Sequence, residues 1–582
     1  MGRLVLCSKR EDFYNICNYS DEYFVSSSEN HGEFGYLKTY SKLRIQTRNC
    51  YKSNLGFAAG TGTFIYRDCK DVEALRLILE DFNGEPNSIR NKIVGSYCLV
   101  ISKNEKVYVF VDASSTYNVF YSLTEGNIIA TNTYYHIAKA LPSLHIDGEL
   151  YVAEWLHRTI LEKTIVHEIK KITGTIMLVY ENYMWHVKEI GYPEQVCTND
   201  FIGKVTSMFQ AFPNLFQRNS IFLTGGQDSR LSLALLLKLG IKPRVYYGVG
   251  NSSDTSTKEN DKAIVDEISK KYSLEERLMN WNDTDKENID TYLHKYGELF
   301  TVYYMNKNFI YEFENKIETD FICFGYFGEV YRTIESIDKY GKNKFTLADY
   351  IDELYLVGTE RYFKNNSYQD YRKKIYDLHL IACENKGLNP SSLTKDDFQT
   401  LNTIYRQRWD TVVNNFANIF FYSAPLFGEF ELVSYAEKQP YLNKKNSRFQ
   451  MQCIEKLDKE LLTIPFFSHI REKTLNKDTL ELLEKHSLAA TYKETIRNIV
   501  KSPMLLHYLK HIYYYFVNDL KGLQEINNER QRKSILKQNW DINRIPILKD
   551  KLDFDLIIDF MEMRDIKRLQ LLQFLINDIE KK

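Results

Sequence analysis

Residues 221–230 read Ile-Phe-Leu-Thr-Gly-Gly-Gln-Asp-Ser-Arg, and their reading decides the fold. An apolar run that suits a buried strand stops at Thr224. Gly225 and Gly226 follow, then Asp228 and Ser229, and the leucine-dense stretch from Leu231 to Leu239 reads as a helix closed by Gly240. A strand entering a glycine turn and a helix N-terminus brings unpaired backbone N–H groups together, and glycine lets an anion approach them closely. Asp228 adds a hard oxygen ligand suited to the Mg²⁺ that travels with ATP.

The glycine spacing excludes a Walker-type loop, which is longer and carries a Lys before its Ser/Thr. The stretch is instead similar to the pyrophosphate loop (PP-loop) of ATP pyrophosphatases, Ser/Thr-Gly-Gly-x-Asp-Ser. Thr224, Gly225, Gly226, Asp228 and Ser229 fill its fixed positions.

Working outward, 582 residues exceed what one core can organise, so two or more domains are expected. Composition is that of a soluble globular protein, 44% hydrophobic and 26% charged. A net charge of −1 offers no bulk attraction for nucleic acid or membrane. The nine cysteines stand singly, without C-x-x-C pairs, which argues against zinc and disulfides and for a reducing compartment. Neither a membrane-length apolar run nor a signal-peptide core is present, so a cytoplasmic protein is expected.

Short β-branched and alternating runs mark the N-terminal part: 62–66, 95–102, 107–112 and 127–131 as strands, with 72–81 and 148–161 as helices. These predict an antiparallel sandwich over 1–195, ending near the polar stretch 192–200. From 201 the style becomes α/β: helix 201–211, strand 220–224, helix 230–239, strand 244–249, a Ser/Thr-rich loop 251–258, helix 259–272, strand 275–279, helices 287–297 and 306–316, and strand 320–324. Strands alternating with helices predict a doubly wound parallel sheet over 196–502, whose ligands sit at strand C-terminal ends. Beyond 345 the periodicity is mainly helical, with turns near Pro390 and 425–427, and 503–582 reads as a helical extension.

A second glycine loop, Phe324-Gly-Tyr-Phe-Gly-Glu329, follows the strand 320–324 as the first follows its own. The pair resembles the synthetase domain of the asparagine synthetase superfamily. The N-terminal half resembles that family's glutaminase domain, an Ntn-hydrolase-like sandwich, through Val109–Tyr121 with Asp112, Ile128–Asn132, Ile146-Asp147 and Ile169–Gly174. The glutaminase needs a Cys directly after the initiator Met, and position 2 is Gly2. The resemblance therefore points to a degenerate glutaminase domain, as in β-lactam synthetases and lasso-peptide cyclases, with Asp112 structural.

What the resemblance implies is an ATP-dependent, AMP-forming carbon–nitrogen ligase. It would adenylate a carboxylate and pass the acyl group to an amine, in natural-product, peptide or surface-sugar biosynthesis. An ammonia-dependent asparagine synthetase, a PP-loop sulfur transferase using a cysteine such as Cys323, and a non-catalytic nucleotide-binding protein are the alternatives. ATP and pyrophosphate fall to Leu223, Thr224, Gly225, Gly226, Asp228, Ser229, Arg230, Gly248 and Gly325, and Mg²⁺ to Asp228 and Glu329. Arg230 either reaches a phosphate or pairs outward. Tyr326 is the expected base, Glu429 or Glu431 its partner, and one of Lys444, Lys445 and Arg448 the cation, with Lys444 foremost. The expected partners are small-molecule or peptide carboxylates and amines, with no nucleic acid or membrane; a homo-oligomer is compatible.

Overall fold

The computed structural model describes residues 2–157, 163–194, 200–249, 255–280, 289–297, 307–333, 337, 343–356, 358–364 and 367–466, with isolated positions from 533 to 572. The extension 503–582 and the 192–200 boundary thus fall largely outside the described residues.

The N-terminal region is built from two antiparallel sheets. One runs, edge to edge, through Lys170–Lys171, Phe120–Thr124, Asn127–Thr131, Arg3–Cys7, Gly35–Tyr40 and Ser26–Gly32. The other runs through Met184–Glu189, Ile176–Glu181, Lys106–Val111, Ile93–Lys103, Gly56–Tyr66 and Cys50–Ser53. Period-two alternation explains how each sheet covers two faces at once. Leu4, Leu6, Val100 and Val109 meet in the layer between the sheets. Val5 and Cys7 point outward to helix Arg10–Asp21, and Leu99 and Phe110 point outward to helix Asp71–Asp81. The result is four layers, helix, sheet, sheet, helix. The strands expected at 62–66 and 95–102 form the longest pairing, in register from Gly56↔Lys103 to Tyr66↔Ile93.

The later region carries a five-stranded parallel sheet: β1 (Asn219–Phe222), β2 (Arg244–Val249), β3 (Glu276–Asn280), β4 (Phe321–Cys323) and β5 (Tyr422–Ser423). Every neighbouring pair is parallel, in the spatial order 3-2-1-4-5. Both faces are apolar, as a sheet covered on both sides requires. Ile221, Val245 and Cys323 face helix Gln227–Lys238, whereas Phe222, Tyr246 and Ile322 face helix Lys395–Phe420.

Two differences from the sequence reading stand out. β5 comes from a stretch read as helix and turn, because two residues between a helix end and a proline turn carry no periodicity. The loop expected over 251–258 is helical from Thr255, and 250–254 lie outside the described residues. Helix Lys395–Phe420 runs into β5 along the N-terminal sandwich. Asn418 is the hub of that junction, where its Oδ1 accepts from Lys42 Nζ at 3.1 Å and Thr63 Oγ1 at 2.7 Å. Burial pushes the Lys42 ammonium down to about 7. No helix among the described residues is long and apolar enough to cross a membrane.

Candidate functional site

In a 3-2-1-4-5 sheet the crossovers reverse direction between β1 and β4, and ligands of such sheets sit beyond the strand ends at that crevice. The loop after β1 holds Leu223 to Gly226, and the loop after β4 holds Phe324 to Phe327. Both glycine loops singled out in the sequence therefore open at the switch point.

The first loop is shaped by its own side chains. Leu223 is buried in the core and extends the pairing, with its N–H donating to Tyr246 O at 3.1 Å. Ser229 Oγ accepts from Thr224 N at 3.1 Å and lies 3.0 Å from Thr224 Oγ1, tying the helix start to the turn. Gly226 is the N-cap and lends no side-chain cap, so the first helical N–H groups lack the side-chain partner that a Ser or Asp would supply. Gly225 N donates to Asp261 Oδ1 at 2.6 Å. A carboxylate from the next helix thus occupies a loop amide, which shows that this amide takes anionic oxygen. Gly248 lies in β2, opposite Met279.

The second loop packs directly onto the first. A Cβ on Gly325 would stand 2.4 Å from Ser229 N, and one on Gly328 2.5 Å from Asp228 Cβ. Both positions must be glycine for this approach. Between them Phe327 is buried in the left-handed region at φ 69°, a conformation a bulky residue holds only under packing constraint. Tyr326 is half-buried, its ring 5.4 Å from Phe324. Glu329 is half-buried in the short helical turn Gly328–Tyr331.

Asp228 accepts three hydrogen bonds from two side chains. Arg332 donates through Nε to Oδ1 at 3.1 Å and through its terminal nitrogen to Oδ2 at 3.0 Å. Gln450 Nε2 donates to Oδ1 at 2.8 Å. A carboxylate has about four acceptor positions, so Oδ2 still offers one. Mg²⁺ asks for only one or two protein carboxylates beside phosphate oxygens; of the two named in the sequence for it, Asp228 stands in the first turn of the helix after the first loop and Glu329 in the short helical turn after the second. Among the described residues no group of three or more His, Cys, Asp or Glu side chains could hold a metal by itself.

Of the three basic candidates, Lys444 is 1% exposed, while Lys445 is half-buried and Arg448 exposed. Its Nζ lies 3.4 Å from Val330 O, beside the second loop, and burial lowers its ammonium to about 8. Glu429 is placed differently from the expectation. Its Oε1 accepts from Gly95 N at 2.7 Å, at the junction with the N-terminal sheet, and burial drives its carboxyl upward. Glu431 pairs with Lys204 at 2.5 Å. Arg230 also departs from the sequence reading. It is 0% exposed, and donates to the carbonyls of Leu461, Ile464 and Pro465 at 3.1, 2.6 and 2.6 Å. The outward ion pair is thus replaced by buried carbonyls, because the residue lies on the inner face of its helix. Its guanidinium falls to about 9 through burial.

In the N-terminal region Gly2 is buried and paired, its N–H donating to Tyr40 O at 3.0 Å. A Cβ there would meet Ser41 O at 2.7 Å and the Phe24 ring at 3.2 Å. Asp112 accepts from the backbone of Thr116 and Tyr117 at 2.8 and 3.0 Å, a turn-closing role. Cys323 is buried and free in β4, and burial raises its thiol, which opposes thiolate chemistry. Sequence reading missed Asp261, Arg332 and Gln450. Only Arg332, three residues beyond Glu329, carried a local signal.

No protein-family model matches the chain, and no curated protein matches it. Among solved structures it is similar to a glutamine phosphoribosylpyrophosphate amidotransferase from B. subtilis complexed with ADP and GMP. That alignment has 9% identity and a TM-score of 0.23, and covers 48% of this chain and 66% of that one. A structure described as the allosteric regulatory enzyme of purine biosynthesis aligns at 8% identity and a TM-score of 0.24, over 47% of this chain and 64% of that one. The chain spans just under two thirds of the length of each. Likeness this distant carries no argument about the site.

Proposed function

We propose that the chain is an ATP-dependent ligase that activates a carboxylate by adenylation, releasing AMP and pyrophosphate, and joins it to an amine. The observation that carries this reading is the packing of Gly325 and Gly328 onto Asp228 and Ser229 at the switch point of a parallel sheet. In the reading, the loop N–H groups and Ser229 hold pyrophosphate, with Asp228 and Glu329 as the metal carboxylates. Mg²⁺, when bound with ATP, supplies charge neutralisation to the departing pyrophosphate. Lys444, mostly protonated at neutral pH with a value of about 8, offers positive charge beside the second loop. In the same reading Tyr326, next to Gly325, would relay the amine proton. The crowding at Gly2 supports a chain without glutaminase chemistry, since an N-terminal nucleophile has no room there.

A second reading, a nucleotide-binding protein without turnover, is favoured by one observation: Asp228 is already held by Arg332 and Gln450. Mass-spectrometric detection of AMP and pyrophosphate separates the two. Mg·ATP is incubated with metabolite and peptide extract, wild type beside Asp228→Ala. The ligase reading expects AMP that needs both the extract and Asp228. ADP as product overturns it, and nucleotide binding with no turnover on any fraction selects the second reading.

A further inference from the structure

One polar side chain stands on an otherwise apolar helix face behind the two loops. Helix Arg448–Asp458 packs against helix Gln227–Lys238, and its buried face runs through Gln450, Cys453, Ile454 and Leu457. Spacings of three and four place these residues on one stripe. Gln450 is 0% exposed. Its Nε2 donates to Asp228 Oδ1 at 2.8 Å and to Gly328 O at 3.1 Å. Both partners only accept, so the orientation of the amide is set: a flip would turn Oε1 against a carboxylate and a carbonyl. In that orientation Oε1 is buried and no protein group donates to it. A buried acceptor left without a donor is destabilising. An apolar residue would therefore serve the fold better here, and what Gln450 contributes is its bond to the loops.

The two bonds use both hydrogens of one nitrogen, and each reaches a loop that carries a carboxylate named for the metal. One ends on Asp228 itself, and the other on the carbonyl directly before Glu329. The backbones meet at the same point, since a Cβ on Gly328 would lie 2.5 Å from Asp228 Cβ. The bonds also divide the oxygens of Asp228. Oδ1 accepts from Gln450 and from Arg332 Nε, which fills its two acceptor positions. Among the described residues Oδ2 accepts only from the terminal nitrogen of Arg332, at 3.0 Å. The open position of the carboxylate is thus on Oδ2.

We propose that Gln450 is a positioning residue for the metal of the nucleotide: it holds Asp228 with Oδ2 open to coordination and fixes the spacing between Asp228 and Glu329. The proposal rests on the ATP reading above. Such positioning counts most for a small cation. Mg²⁺ demands near-ideal octahedral geometry at about 2.0–2.1 Å, whereas Ca²⁺ accepts flexible arrangements at about 2.3–2.6 Å. A side chain that hydrogen-bonds a ligating carboxylate typically governs about tenfold to a hundredfold in metal affinity.

The test titrates a fluorescent ATP analogue into the full-length chain with Mg²⁺, with Ca²⁺ and with EDTA, and follows thermal unfolding. Wild type is compared with Gln450→Leu and with Gln450→Met, whose unbranched chain follows the shape of glutamine. Binding with Mg²⁺ should weaken about tenfold in either variant. Binding with Ca²⁺ should stay within about threefold of wild type, and melting should be unchanged or higher. A residue that only braces the fold would weaken all three conditions alike and lower melting. Equal losses under Mg²⁺ and Ca²⁺ therefore overturn the proposal, as does Mg²⁺-supported binding within about twofold of wild type. Wild type that binds no nucleotide overturns the ATP reading, and wild type that binds equally well with EDTA overturns its metal site; either result takes this proposal with it.

Discussion

Replacing Gly325 by alanine tests the geometry on which the site depends. The added Cβ would lie 2.4 Å from Ser229 N, 2.7 Å from Asp228 C and 2.8 Å from Ser229 Cα. All three atoms are backbone, so no rotamer change relieves the clash. Ordinary contact begins at 3.4 Å, and the two loops must therefore separate by about 1 Å, the difference between 3.4 and 2.4 Å. Overpacking of this kind costs about 1–3 kcal/mol. The same separation moves Asp228 and Ser229 away from Glu329 and Lys444. If that strain is expressed in the bound geometry, Mg·ATP affinity falls about tenfold or more, since about 1.4 kcal/mol corresponds to a factor of ten. Calorimetric titration with Mg·ATP, alongside thermal unfolding, measures both effects. Gly240→Ala is the control: at φ 76° with nothing within 4 Å, it strains the backbone far from the loops and should lower stability without touching affinity. Gly325→Ala with wild-type melting and affinity within twofold would refute the claim that close approach of these loops makes the site.

Two other variants probe the packing at Gly2 and the buried charge of Lys444. Gly2→Cys restores the residue type of an N-terminal nucleophile but places its Cβ 2.7 Å from Ser41 O; lower melting and no glutamate release from glutamine are expected, and measurable glutaminase activity would contradict the packing. Lys444→Met removes an ammonium that the fold holds at about 8 against an ordinary 10.5. A lysine depressed by folding binds fewer protons folded than unfolded between those values, so wild-type stability rises with pH across that window. Lys444→Met should therefore melt above wild type at pH 7, with the gap closing as pH rises from about 8 to 10.5, while AMP-forming turnover is lost. A gap that does not change with pH would remove burial of the charge as its cause.

The sequence determined on its own what depends on local pattern. The run from Ile221 to Arg230 announced strand, turn and helix, because an apolar stretch, paired glycines and a leucine-rich segment are each legible within a dozen residues. The long antiparallel pairing of Gly56–Tyr66 with Ile93–Lys103 was legible for the same reason, since alternation writes the pleat into the sequence. Gly2 carried only the expectation that an N-terminal nucleophile is lacking, and it took the structure to show Ser41 and Phe24 crowding the space beside it. Tertiary structure decided what depends on who meets whom. Strand order brings β4 beside β1, and so sets Gly325 on Ser229 across a hundred residues of chain. Asp261, Arg332 and Gln450 reach the first loop from separate elements, and no spacing rule connects them to it. Glu429 and Arg230 show the converse. Each has the chemistry for the site, but burial against Gly95 in one case and three carbonyls in the other assigns it to the scaffold. A motif fixes backbone shape over a few residues, whereas the side chains completing a site are chosen by packing between elements distant in the chain.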